Sequence, residues 1–514
     1  MRRPCQAPLL LLVAALACDD RSEPLAPPAD PAADVRIQVD PASPGPRIPP
    51  DFLGLGFEMP VMADPALAGD PVFERLLATI GPGTLRFGGN SLERTRWQPA
   101  GGVSNDEFQL TPPIVDGVFA FARRTGWHVT VALDLSRYDP AAAADEAAYL
   151  VRAGGEALQA IEIGNEPNLF PLRGLRSSVW TADSLAEEFD GYADAILARA
   201  PGTPLAGPAT WCTGGGRWIG DFLARVRHQP AFASHHFYPT GVPAPAGSFE
   251  EATVANLLSA GVMARTRACV DSAAVAAGSH GLALRVNETN STFGFGRPGV
   301  SDVFASALWG LDHLLTLAEV GVAGVNVQTG TDLWGGLDCD GIYLPMCGED
   351  GRWTARPLYY ALLAVREMAP GRILPLRLTA AANVAAHAVL GDDGIVRVAV
   401  INQEEARGAI VTIKGACGAR RGEALMLRAP SLLSKTGVTL GEAAVGDDGT
   451  WAPAATVRLD ETRGGWLLEL PSASAAIVAL RPAAWLGQAN DSDGCIGGHA
   501  EGTAPEKIAA SLLE

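Results

Sequence analysis

Two glutamates stand where a barrel enzyme would place reacting groups. The segment Ile161-Glu-Ile-Gly-Asn165-Glu166-Pro167 is an apolar run ending in an amide, a carboxyl and a proline; Leu284-Arg-Val-Asn287-Glu288-Thr289-Asn290 repeats the pattern far enough downstream to leave three βα units between them. A single glutamate at a strand end is ordinarily a surface or ion-paired residue. Two converging from different strands supply a protonated carboxyl for a departing oxygen and an ionised carboxylate facing an electrophilic carbon, the pair that cleaves a glycosidic bond. Repulsion between the two should raise one pKa, keeping the acid protonated while the nucleophile stays charged.

The elements around these segments suit that role. From about residue 50 to 370, short β-rich runs alternate with Ala- and Leu-rich helical stretches, the pattern of a (β/α)8 barrel, whose strands end at the catalytic mouth. Expected strands are Thr84–Phe87, Val129–Leu133, Ala160–Ile163, Leu205–Ala206, Ala231–Ser234, Ala283–Val286 and Gly324–Val327. Beyond residue 371 the texture turns to short alternating strands, Val396–Ile401, Ala409–Ile413, Gly465–Leu470 and Ala475–Leu480, which predicts a β-sandwich over 371–484. Val35–Val39 alternates in the same way, so residues 35–49 should cross over to join that sandwich. Residues 485–514 read as a tail.

Composition narrows the function classes. The chain has 514 residues, 48% hydrophobic and 19% charged, enough for two or three domains; its formal net charge of −18 argues against a nucleic-acid partner, which needs a basic face. Its lysines are Lys414, Lys435 and Lys507, so Schiff-base chemistry has no candidate in the barrel. Arg2 and Arg3 precede a short apolar run, an export signal over 1–17, and residues 18–34 are Pro-rich and polar like a tether. Cys18, directly after Ala15-Leu16-Ala17, resembles a lipoprotein box and predicts a lipid anchor, hence membrane attachment, at the periplasmic or outer surface; ordinary cleavage would give a secreted chain. The remaining cysteines are even in number, with Cys339–Cys347 the favoured disulfide and Cys417–Cys495 a second. No metal or other cofactor is implied: His235-His236 lacks a third ligand at recognisable spacing, and Asp338-Cys-Asp-Gly341 lacks the distal glutamate of a calcium loop.

Gly164-Asn-Glu-Pro167 and Glu288-Thr-Asn-Ser291, together with Phe52–Glu58, Leu85-Arg-Phe-Gly-Gly-Asn-Ser91, Ser234-His-His-Phe-Tyr-Pro239 and Ser301–Asp312, resemble glycoside hydrolase clan A and, within it, family 79, which holds β-glucuronidases and heparanases. Two positions depart from the family pattern: Asp134 stands where asparagine is frequent, and Gly56 where serine is common. The resemblance implies a retaining, exo-acting β-glucuronidase with Glu166 as acid/base and Glu288 as nucleophile, whose partner is a uronic-acid-containing glycan. The alternatives are a neutral-sugar β-glycosidase, an endo-acting glycosaminoglycan hydrolase, and a surface lipoprotein that binds glycans without cleaving them. Sugar contacts are expected from Glu58, Asn90, Asp134, Asn165, His236, Tyr238, Gln328, Trp334 and Tyr343, with Tyr343 or Arg297 serving a C6 carboxylate. The oligomeric state is left open.

Overall fold

The computed structural model describes residues 33–482 apart from 102–105, 214–215, 249 and 417. The signal at 1–17, nearly all of the tether with Cys18, the Cys417–Cys495 pair and the tail 485–514 therefore lie outside the described residues.

Eight parallel strands close the barrel in chain order: Leu53–Glu58, Thr84–Gly88, His128–Leu133, Leu158–Ile163, Leu205–Trp211, Phe232–Phe237, Leu284–Thr289 and Gly324–Thr329. Their residues are almost continuously buried, because each strand faces packed side chains inside and helices outside. That double burial explains why these segments read as apolar runs rather than as alternating patterns. Helix starts are specified locally. Asp70 accepts from the N–H groups of Val72 and Phe73 at 2.9 and 3.0 Å, Pro71 takes the first helical position, and the helix Pro71–Ile80 then buries Phe73, Leu76, Leu77 and Ile80.

The strands after residue 370 form a curled sandwich, as expected, and the N-terminal strand joins it. Val35–Val39 lies between Leu376–Ala380, antiparallel, and Ala409–Lys414, parallel, with Ile37 opposite both Leu378 and Ile413. Val35, Ile37 and Val39 point into the sandwich core while Arg36 and Gln38 face water, the two-residue period visible in the sequence.

The helix Phe304–Val320 is buried on nearly every side because it is wedged between barrel and sandwich. Its polar residues reach across that seam. His387 of the sandwich strand Val384–Gly391 sits between Asp312, at 2.9 Å from Nε2, and Glu319, at 2.6 Å from Nδ1, and Gln403 donates to the other Asp312 oxygen at 2.9 Å. Cys339–Cys347 is a disulfide, and so is Cys212–Cys269, a pair whose wide sequence separation gave no signal.

Candidate active site

Glu166 and Glu288 meet at the carboxyl ends of the fourth and seventh strands. Each arrives through a local distortion. Glu166 follows Gly164 (φ 86°) and itself takes the left-handed conformation (φ 49°, ψ 49°), its N–H donating to Ala209 O at 2.9 Å. A non-glycine residue there costs on the order of 1 kcal/mol or more, a strain that clusters at functional sites. The seventh strand carries a bulge at Asn287: His235 pairs with Val286 but His236 with Glu288, so the extra residue turns Glu288 toward the barrel axis beside His236.

One oxygen of Glu166 and one of Glu288 lie within 4.8 Å of each other and of His236. Both carboxylates are almost fully buried. Glu288 Oε1 accepts from the Tyr238 hydroxyl at 2.9 Å and Oε2 from Arg86 at 2.8 Å. Burial, then the charge of Glu288, pushes the Tyr238 phenol well up, so it remains a donor. His236 bridges the pair, its Nδ1 at 3.2 Å from Glu166 Oε1 and 3.6 Å from Glu288 Oε2. Its Nε2 faces Arg86 Nη2 at 3.4 Å; a guanidinium can only donate, so Nε2 accepts and Nδ1 carries the proton toward Glu166.

Beneath them lies a buried ion network that sequence reasoning did not single out. Arg86, inward on the second strand, donates through Nε and Nη2 to Glu162 at 3.0 and 2.8 Å, and to Asn165 Oδ1 at 2.9 Å; Glu162 also accepts from Asn287 at 3.0 Å. Burial alone would raise the Glu162 carboxyl, but Arg86 outweighs it and holds the group below its ordinary value. The available signal was spacing: Glu162 is four residues before Glu166 on a strand, and Arg86 is a lone charge inside an apolar run.

Glu166 departs from expectation. Burial works to raise its carboxyl, yet the hydrogen bond from His236 and the guanidinium groups of Arg173 and Arg86 prevail and leave it below the ordinary carboxylate range. The anticipated lift by repulsion from Glu288 is outweighed because cations and donors, rather than a second bare carboxylate, line both of its oxygens.

The other expected contacts divide. Glu58 is buried, accepts from the N–H groups of Asn90 and Ser91 at 3.2 and 2.7 Å, and lies close enough to Glu288 and Tyr343 to be felt by both; burial, then Glu288, pushes its carboxyl up to about 8, so it is protonated near neutral pH. Gly89 (φ 73°) is required beside it, since a Cβ there would stand 2.4 Å from the carboxyl. Asn165 links Arg86 to Asn90 Oδ1, the latter at 3.4 Å. Gln328 is buried in the barrel with Oε1 lacking a protein partner and needs Gly56, whose Cβ would come within 2.4 Å of that oxygen.

Asp134 and Trp334 stand apart from the carboxylates. Asp134 pairs with Arg96 at 3.1 Å and caps the Ser136 N–H at 2.8 Å, a loop-fastening role that uses both of its oxygens. Trp334 is 46% exposed on the rim with Arg94 over its ring, and Arg297 is likewise exposed, so a carboxylate-binding part for Arg297 has no support from its position. Trp211, absent from the expected set, stacks on Tyr238 with ring centroids 5.5 Å apart and is tied to Asn168, two residues after Glu166, by two hydrogen bonds.

Among the described residues, two clusters bring metal-ligand atoms together, Glu166–His236–Glu288 and Cys212–His235–Cys269. Neither suits an ion as it stands. Arg86 and Tyr238 already occupy the Glu288 oxygens, and the two sulfurs are bonded to each other.

No family model matches the chain. A segment of 137 residues, 26% of the chain, is 32% identical to a β-glucuronidase of Neurospora crassa and spans about a fifth (22%) of that protein's length. Among solved structures, the chain is similar to a 4-O-α-L-rhamnosyl-β-D-glucuronidase from Fusarium oxysporum 12S, at 20% identity and TM-score 0.72 over 87% of this chain and all of that one. It is also similar to a family 51 arabinofuranosidase from Xanthomonas axonopodis pv. citri, at 17% identity and TM-score 0.61 over 87% of this chain and all of that one. These likenesses show the fold, a (β/α)8 barrel with a β-sandwich.

Proposed function

We propose that this protein is a retaining, exo-acting β-glucuronidase of the family 79 type. The observation that carries the reading is that one oxygen of Glu166 and one of Glu288 come within 4.8 Å of each other at the ends of strands four and seven. Retaining enzymes hold their carboxyls about 5 to 5.5 Å apart, and inverting ones about 6.5 to 9.5 Å apart to admit a water. Glu288, charged and oriented by Arg86 and Tyr238, attacks the anomeric carbon as Glu166 gives its proton to the departing oxygen. Glu166 then takes a proton from the water that displaces Glu288. Arg86 stabilises the carboxylate that leaves in this second step and, through Asn165, fixes the amide beside the acid/base.

The uronic-acid assignment rests on the β-glucuronidase relatives and on a site that suits an anion at one edge: Glu58 is neutral near pH 7, and Tyr343, its phenol pushed well up by burial and by Glu288, is a donor next to it. One observation favours a neutral sugar instead. Both arginines that touch the catalytic carboxylates, Arg86 and Arg173, are committed to carboxylates, so no guanidinium at those two positions is spare for a sugar acid. A panel of 4-nitrophenyl β-glycosides differing only in the sugar tests the choice. Selective release from the glucuronide, with the glucoside and the methyl ester slower by at least about tenfold, is expected; equal rates would make the neutral-sugar reading correct. We further propose that the chain is exported and anchored through a lipidated Cys18, which a mass increment on the mature N-terminus would reveal.

A further inference from the structure

Glu166 has two oxygens with two different neighbours. Oε1 faces inward to His236, which also reaches Glu288. Oε2 faces outward and is held by Arg173 Nη2, while Nη1 of the same guanidinium is 2.9 Å from Glu93 Oε1. Arg173 comes from the loop that follows Glu166, and Glu93 from the turn after the second strand, so one cation spans two carboxylates on separate elements at the mouth. Both Arg173 and Glu93 are about a fifth exposed, whereas Glu166 is buried. The guanidinium therefore closes the outer side of the acid/base.

This arrangement is suited to only half of a double displacement. A general base must be a carboxylate, and an arginine on Oε2 favours that form; a general acid must carry a proton, which the same arginine opposes. We propose that Arg173 is a positioning residue that clamps Glu166 as a carboxylate in the substrate-free enzyme and during hydrolysis of the glycosyl-enzyme, and that a bound leaving group displaces its guanidinium onto Glu93 so that Glu166 can take up a proton. The inference rests on the assignment of Glu166 as acid/base.

The proton accounting closes over a cycle. Glu166 gains a proton from solvent as Arg173 withdraws and transfers it to the glycosidic oxygen as the bond from that oxygen to the anomeric carbon breaks and the bond to Glu288 forms. After the leaving group departs, Arg173 returns, and Glu166 takes a proton from the water whose oxygen replaces Glu288 on the anomeric carbon, then releases that proton to solvent as the clamp re-forms on the free enzyme. Glu93 is the second seat that keeps the cation paired in both positions. The other charged or titratable groups that Glu166 feels are Arg86 from the second strand, His235, His236 and Tyr238 in or just after the sixth and Glu288 from the seventh, with Asp134 beyond Glu93; none of these joins Glu166 Oε2 to a second seat at the mouth.

Two variants should move the pH dependence in opposite directions. With an alkyl β-glycoside of the preferred sugar, whose leaving group needs the acid, Arg173→Met should shift the alkaline limb of kcat/KM upward by about one pH unit or more, the effect of removing an opposite charge at contact distance. Glu93→Gln leaves Arg173 with Glu166 as its carboxylate partner and should shift the same limb downward. With a dinitrophenyl glycoside, where hydrolysis of the glycosyl-enzyme limits turnover, Arg173→Met should lower kcat severalfold and Arg173→Lys should restore part of it. Limbs that stay within a few tenths of a pH unit in both variants, or that move the same way, overturn the clamp. If Glu166→Ala keeps its activity on the alkyl glycoside, the acid/base assignment has failed instead, and the clamp with it.

Discussion

Two buried clusters in this molecule have the same plan, a cation held between two carboxylates, and differ in the choice of cation. At the barrel mouth Arg86 lies between Glu162 and Glu288; at the seam between barrel and sandwich His387 lies between Asp312 and Glu319. Burial pulls the Arg86 guanidinium down, but Glu162 and Glu288 more than compensate, so it stays charged throughout any working range. Burial likewise opposes the His387 charge, and Glu319 with Asp312 pushes it up to about 9, within reach of titration. In the mechanism proposed above Glu288 is charged at the start of every turnover, and its partner is the cation that cannot lose its proton. A seam that only has to hold two domains together can use one that can.

The largest effects should come from breaking the mouth. With Glu288 as the proposed nucleophile, Glu288→Ala should lose roughly 10⁴-fold or more in kcat on every glycoside, activated or not, since no other group would replace it. Arg86→Met should do more than slow the enzyme: it leaves Glu162 and Glu288 buried without their cation, which typically costs about 3 to 5 kcal/mol and should appear as a lowered denaturation midpoint as well as lost turnover. A variant that is slow but fully stable would show that Glu162 finds another partner.

The His387 cluster should respond to pH where the Arg86 cation does not. His387 has a folded pKa above the ordinary value of about 6.5, so its contribution is complete below that pH and is lost as pH climbs through about 9, with a slope of at most about 1.4 kcal/mol per pH unit. The stability difference between the wild type and His387→Gln should therefore shrink from pH 6 to 9.5 in denaturant titrations. A constant difference would mean that the histidine's charge does not matter to the seam.

Glu58 sharpens the comparison with the same direction of pH dependence but the opposite cause, since burial favours its neutral form. An acid raised from about 4.5 to about 8 loses stability as pH rises between those values, because the unfolded chain gives up its proton first. Glu58→Gln keeps the shape without that loss, so its melting temperature should gain on the wild type from pH 5 to 8 and level off beyond. A melting difference that is flat over that range would place the Glu58 proton elsewhere.

Much of this architecture is legible in the sequence, and for one reason. Barrel strands buried on both faces must be apolar runs, so a Glu or Asn at the end of such a run stands out, as Glu166, Asn165 and Glu288 do. Val35–Val39 is legible from the two-residue alternation that one buried face imposes. The residues beneath the reacting pair are less so. Arg86 and Glu162 lie inside their strands, where nothing in either segment reveals that a partner from another strand balances the charge. Arg173 is in an irregular loop without periodicity, and the left-handed turn that aims Glu166 depends on a hydrogen bond to Ala209 that no local pattern encodes. Asp134 reads as a site residue because it ends a strand, yet Arg96 claims it. Strand ends mark where side chains converge; which neighbours they choose is settled by tertiary structure.

The division of labour between the two glutamates is tested most directly by azide. In Glu166→Ala a glycosyl-enzyme forms readily from a dinitrophenyl glycoside and then stalls for want of a base; azide needs no deprotonation and should restore turnover by releasing the β-glycosyl azide. In Glu288→Ala azide can only attack the substrate itself and should give the α-azide. Product configuration by proton NMR decides between the assignments. The β-azide from Glu166→Ala with the α-azide from Glu288→Ala is the predicted result, and the reverse pairing would contradict it by making Glu166 the nucleophile and Glu288 the acid/base.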